Sequence, residues 1–132
     1  MRVIETGFDP ERHHLHLEIT VKNAEGIEYS LDAILDTGAP ATEFSDHFLA
    51  FTGFISTQDR SIRIKSGLQS KKYNTVAIPE VTICGRVLTD FNVYVSQFDE
   101  SWGIDALIGL DFFRKYIVEI DYSRGVITTK GF

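Results

Sequence analysis

The sequence predicts an all-β fold with one or two short helices. Apolar residues recur at every second position in run after run, turn residues punctuate those runs, and only two short stretches carry helix signals. With 132 residues, 43% of them hydrophobic, the chain is long enough to bury one core, and a single globular domain over 1–132 is expected.

The first element runs from His14 to Lys22, where Leu15, Leu17, Ile19 and Val21 alternate with polar residues. One face is therefore buried. Asn23, Ala24, Glu25 and Gly26 connect it to a second alternating run, Ile27, Tyr29, Leu31, Ala33 and Leu35, so the two pair as an antiparallel hairpin. Ile34 breaks the alternation and implies that both faces are covered near the strand's end. After a turn at 36–39, Ser45 caps a short helix over Asp46–Phe51, which Gly53 ends. Ile62 and Ile64 alternate with Arg63 and Lys65, Ser66 to Ser70 form a loop, and Tyr73 to Ile78 return as the second arm of a hairpin. Pro79 bounds that arm. Val81, Ile83, a turn at Gly85 and the run Val87–Val95 supply further strands. Trp102, alone in the polar stretch Ser96–Gly103, reads as a core or interface anchor. Ala106, Leu107 and Ile108 form a short strand ending in Gly109, and a short helix follows to Lys115, with Asp105 and Asp111 as turn and helix-start residues. Tyr116–Ile120, a turn over 121–125 and Val126–Thr129 make a closing hairpin.

Charge removes several function classes. A net charge of −6 lacks the basic excess of a nucleic-acid binder. The five basic residues Arg60, Arg63, Lys65, Lys71 and Lys72 read as the solvated face of a hairpin. No apolar stretch approaches a bilayer span, and Glu5 and Asp9 stand where a signal peptide needs an apolar core. A cytoplasmic protein with no membrane partner is expected. Cys84, the single cysteine, cannot form an internal disulfide and reads as inert. His13, His14 and His16 invite a zinc reading, but on a strand only His14 and His16 share a face, and no third ligand has suitable spacing. No metal or cofactor is expected.

The stretch that carries chemistry is Asp36, Thr37, Gly38 and Ala39. It places one carboxylate on a tight turn directly after a buried strand, held by the core yet pointing out of it. Ile34, Leu35, Asp36, Thr37, Gly38 and Ala39 with Thr42 shortly after, then Leu107, Ile108 and Gly109 late in the chain, resemble the retropepsin-like aspartic proteases. The tail, Leu110–Phe113 and then Ile120, Asp121 and Tyr122 before a glycine turn, is similar to the cellular and retroelement branch of that family. The resemblance implies a closed acid-protease barrel and an aspartic endopeptidase that hydrolyses a protein or peptide substrate. Because the chain has one Asp-Thr-Gly turn, it also implies a homodimer with one Asp36 from each copy.

By the same resemblance, Thr37 bonds across the two-fold axis, Gly38 presents its carbonyl to substrate, Ala39 and Thr42 support the turn, and Gly109 packs behind the site. Ser66, Gly67, Leu68 and Gln69 form a flap over the substrate, with Gly67 at its tip. The terminal runs Arg2–Glu5 and Val126–Thr129 interleave with those of the second copy. The chain departs from the viral enzymes at Pro40 and Ala41, where they carry acidic residues, and in having one flap glycine where they have several. The alternative from a different class is a non-catalytic dimeric peptide-binding or assembly module of the same fold.

Overall fold

The computed structural model describes residues 2–55 and 75–132. Alternation becomes pleat throughout. In β2 (His16–Lys22) the side chains of Leu17, Ile19 and Val21 are buried, while Glu18 faces solvent. The strand pairs antiparallel with β3 (Glu28–Leu35), setting Ile19 opposite Leu31 and His16 opposite Ile34. His14 lies just before β2, and Ile27, expected to open β3, is exposed outside it.

Six strands close a barrel in the order β2-β3-β7-β4-β6-β5, with β5 returning to β2. The others are β4 (Glu43–Ser45), β5 (Thr75–Ile83), β6 (Arg86–Ser96) and β7 (Ala106–Ile108). Most contacts are antiparallel, but β3 with β7 and β4 with β6 run parallel. Those two parallel contacts come from chain segments that cross the barrel rather than turn back on themselves. Among the described residues, closure pairs every strand of this sheet on both sides. The interior is filled by Phe44, Phe112, Leu17, Ile19, Leu49, Ile78, Ile83 and Ile108, all essentially inaccessible. Among the described residues, two short α-helices complete the framework, α1 (Asp46–Phe51) and α2 (Leu110–Phe113). Ser45 caps α1, its hydroxyl accepting from the Phe48 N–H at 2.9 Å.

Pro79 does not end its strand. Register runs unbroken through β5 and β6, from Ile78 opposite Phe91 to Glu80 opposite Thr89. Proline lacks an N–H, and across from it Asp90 takes a left-handed φ of 50°, so the rung at this position is lost while the strands continue. The hairpin closes on Cys84 and Gly85, both left-handed, as a tight two-residue turn requires. Burial pushes the Cys84 thiol up to about 11, which fits the inert reading.

The ends of the chain form a second sheet in the order β1-β9-β8, from β1 (Val3–Gly7), β8 (Ile117–Asp121) and β9 (Val126–Lys130). Within one chain this sheet holds both terminal runs that were expected to interleave with a second copy. They pair with each other, and β9 already has a neighbour along each edge. Arg86 fastens this sheet to the barrel. Its guanidinium donates to the Thr129 hydroxyl (3.0 Å), the Thr129 carbonyl (2.8 Å) and the Arg2 carbonyl (2.6 Å), and lies 4.8 Å from the Tyr116 ring centre. Among the described residues, no helix is long and apolar enough to cross a membrane. Arg86→Ala should therefore lower stability by about 1–3 kcal/mol, read as an earlier midpoint in denaturant unfolding.

Candidate active site

Asp36 stands where β3 stops. Its N–H donates to the Ile108 carbonyl of β7 at 2.9 Å, and the preceding Leu35 N–H donates to the Leu15 carbonyl at 2.9 Å. The residue is thus tied into the barrel from two directions. Beyond it the chain turns on its own side chain: Asp36 Oδ1 accepts from the Gly38 N–H at 2.8 Å, and the Ala39 N–H donates to the Asp36 carbonyl at 3.1 Å. A Cβ on Gly38 would lie 3.1 Å from that carboxylate oxygen, tighter than most side chains tolerate. Asp36 is half-buried, Thr37 and Gly38 are exposed and Ala39 is buried. The turn therefore presents a carboxylate and a hydroxyl outward from a fixed base.

Gly109 lies behind the turn. Any Cβ there would stand 2.6 Å from the Ala41 carbonyl carbon and oxygen and 2.8 Å from the Ala39 oxygen, all main-chain atoms that cannot swing aside. Two segments cross at this point with no room for a side chain. They are bonded as well as packed. The Leu110 N–H donates to the Ala39 carbonyl at 2.8 Å, and the Gly109 N–H donates to Thr42 Oγ1 at 3.1 Å.

Thr42 is fully buried, so its polar atoms need partners. Asp111 supplies them. Its Oδ1 accepts from the Thr42 hydroxyl at 2.7 Å and its Oδ2 from the Thr42 N–H at 2.9 Å. Asp111 lies in the first turn of α2, which Leu110 begins, and its carboxylate serves Thr42 rather than the helix end. Sequence reasoning missed this link because the partners lie 69 positions apart. The one available signal was that a buried threonine needs a partner.

Asp105 is placed elsewhere. Its N–H donates to the Asp32 carbonyl at 2.9 Å, and with Asp32 it lines a cavity on the barrel's outer side. His16 Nδ1 lies 3.1 Å from both Asp32 oxygens, and the His13 and His14 rings stand perpendicular with centres 6.0 Å apart. Ser66, Gly67, Leu68 and Gln69, with the first arm of the hairpin expected to carry them, lie outside the described residues, and the returning arm is described from Thr75 on, in β5.

Trp102 is not a core anchor. It is 58% exposed, set on a single helical turn (Glu100–Trp102) and tilted against Phe98 at 5.9 Å. With His14, His16, Ile34 and Ile104 it lines a cavity of about 320 Å³. Ile34 precedes Asp36 by two positions on the same chain run, which places this cavity beside the turn.

No protein-family model matches the sequence, and no curated protein does. Solved structures do match. The chain is similar to a retropepsin-like aspartic protease from Rickettsia conorii, with a TM-score of 0.66 and 17% identity, over 97% of this chain and 91% of the other. It is also similar to the retroviral protease-like domain of Ddi1 from Leishmania major, with a TM-score of 0.57 and 18% identity, over 92% of each chain. The fold is retropepsin-like. At such identities the likeness lies in the path of the backbone, so in this retropepsin-like barrel the turn, the crossing at Gly109 and the Thr42 bonds must be judged on their own chemistry.

Thr42→Val keeps the shape but removes the hydroxyl, leaving the Gly109 N–H without its acceptor and one Asp111 oxygen without its donor. A loss of about 2–3 kcal/mol is expected in equilibrium unfolding, with Thr42→Ser retaining most of the stability.

Proposed function

We propose that the chain is an aspartic endopeptidase whose active unit is a homodimer, with one Asp36 from each copy. The observation that carries this reading is the half-buried Asp36 carboxylate, fixed beside exposed Thr37 and Gly38 on a retropepsin-like barrel, in a chain with a single Asp-Thr-Gly turn. The chemistry follows from two carboxylates held close together, which do not both ionise readily. The charged one takes a proton from water as the water oxygen attacks the peptide carbonyl carbon. The neutral one donates its proton to the carbonyl oxygen. Collapse of the tetrahedral intermediate breaks the C–N bond: the departing nitrogen takes the dyad's proton, and a hydroxyl of the intermediate gives its proton back to the dyad as the carbonyl re-forms. The scheme calls for no metal or cofactor.

The fixed turn supports this role because a general base must hold its orientation while charge develops. Leu15, Ile108 and Gly38 give Asp36 that footing through the main chain. Thr37 is exposed on the turn, free to bond to its counterpart in a second copy. The cavity of Ile34, Trp102 and Ile104 suits an apolar side chain of an extended peptide. Pro40 and Ala41 offer no carboxylates to brace a partner, and β9 is enclosed within its own sheet. The dimer contact therefore centres on the turns themselves and on the open edges of β1 and β8.

Two measurements test the reading. Asp36→Asn should reduce hydrolysis of a diverse peptide pool by about 10²–10⁴-fold while melting with the wild type, since the amide keeps the shape but cannot exchange the proton. Unchanged turnover contradicts the proposal, and peptide binding without turnover in the wild type marks a non-catalytic binding module. Trp102→Ala should lower kcat/KM about tenfold for peptides with a large apolar residue at the cleavage site and leave small-residue peptides nearly unaffected. An equal loss on both peptide classes removes Trp102 from specificity.

A further inference from the structure

Two cavities meet at His16. One, of about 320 Å³, lies beside the Asp36 turn, with Ile34, Ile104 and the Trp102 indole in its wall. The other, of about 510 Å³, lies on the outer side of the barrel and is lined in part by Asp32 and Asp105. The change from apolar to acidic lining is abrupt. On β3 it falls between Ile34 and Asp32, two positions apart and therefore on one face of the strand. On the segment entering β7 it falls between the chain neighbours Ile104 and Asp105. Among the described residues, His16 alone lines both cavities.

The His16 ring stands across that boundary. Its backbone pairs with Ile34 in the β2 and β3 ladder, yet its Nδ1 lies 3.1 Å from both carboxylate oxygens of Asp32, two positions back along β3. The side chain therefore leans along the sheet from the level of Ile34 to the level of Asp32. It is also held there. The side chain is only 11% exposed, and Arg12 Nη1 lies 3.6 Å from the same Asp32 carboxylate. A nearly enclosed ring bonded at one edge cannot swing aside without giving up that bond.

This placement decides which side chains the apolar cavity can take. A leucine-sized group beside Trp102 fills it and stops at the imidazole. A lysine or arginine brings a charge that needs a partner when it leaves water, and the carboxylates that could serve lie behind the ring.

We infer that His16 is the specificity-determining partition of this site: its ring closes the apolar cavity off from the acidic one, so that an apolar side chain is selected and a long cationic one refused. The inference rests on the peptidase reading for the kind of ligand that enters, but the partition acts on binding and is measured apart from hydrolysis. Without the ring the two cavities join. An arginine side chain then lays its methylene stem along Ile34 and Trp102 and brings its guanidinium to Asp32, which has lost its imidazole partner.

Trp102 is the single tryptophan of the chain, so its emission reports on this cavity. Blocked alanine octapeptides carrying one central leucine, arginine or citrulline, the neutral isostere of arginine, are titrated into the Asp36→Asn chain with and without His16→Ala. With His16 present, the leucine peptide should bind about tenfold more tightly than the other two. In the His16→Ala chain the arginine peptide should gain about tenfold relative to leucine, and citrulline much less. An unchanged ratio of leucine to arginine, an equal gain for citrulline, or no response of Trp102 emission to any peptide overturns the partition. If His16→Ala does not fold, His16→Asn decides: its amide can keep the bond to Asp32 while the outer half of the ring is lost, and the ratio must move in the same direction. Hydrolysis by the wild type is scored separately. A leucine peptide bound but never cut contradicts the endopeptidase reading while the binding ratios still judge His16, and a peptide cut with the ratio unchanged contradicts the partition alone.

Discussion

The constraint on which the site depends is the crossing at Gly109, where two stretches of main chain approach within a distance that no Cβ can share. Asp36 depends on it. The carbonyl that receives the Asp36 N–H belongs to Ile108, one residue before the glycine, and the carbonyl that receives the Leu110 N–H belongs to Ala39, at the far end of the turn. The turn is clamped from below at both ends. A larger residue at 109 would have to push the 39–42 segment outward and carry Asp36 with it.

Close contact of backbones buries polar groups, and that burial must be compensated. Thr42 and Asp111 do this. One hydroxyl accepts from Gly109 and donates to Asp111, and one carboxylate receives both the hydroxyl and the N–H of Thr42. Immediately beyond each partner the chain enters the core, through Phe44 on one side and Phe112 on the other, both with no exposed surface. Hydrophobic burial thus fixes where the polar links stand, and the polar links fix where the carboxylate points.

Much of the barrel was legible because strands announce themselves locally. The alternation of Leu15, Leu17, Ile19 and Val21 needs no knowledge of the rest of the chain, nor does the Ser45 cap or the Asp36 turn. What was hidden is long-range. The bond from Thr42 to Asp111 and the grouping of His16, Asp32 and Asp105 join residues far apart in sequence, with no periodicity to reveal them. Pro79 misled because the rule about its missing N–H is local, whereas the strand persists through pairs on either side. Of the two readings of Trp102, the core one fails because size favours burial only on average, and here the indole stands on a surface turn beside a cavity. The terminal strands were read as strands, but which strand they pair with depends on the path of the whole chain.

Under the proposed function, a single Asp-Thr-Gly turn per chain makes the pairing of two chains the step on which hydrolysis rests. The most direct measurement is specific activity against protein concentration over a wide dilution series, with substrate in excess. If the site is shared by two copies, specific activity falls in proportion to concentration once the dimer dissociates, and total rate falls with its square. Specific activity that stays constant in a chain shown to be monomeric would contradict a shared site and place the second catalytic group within one chain.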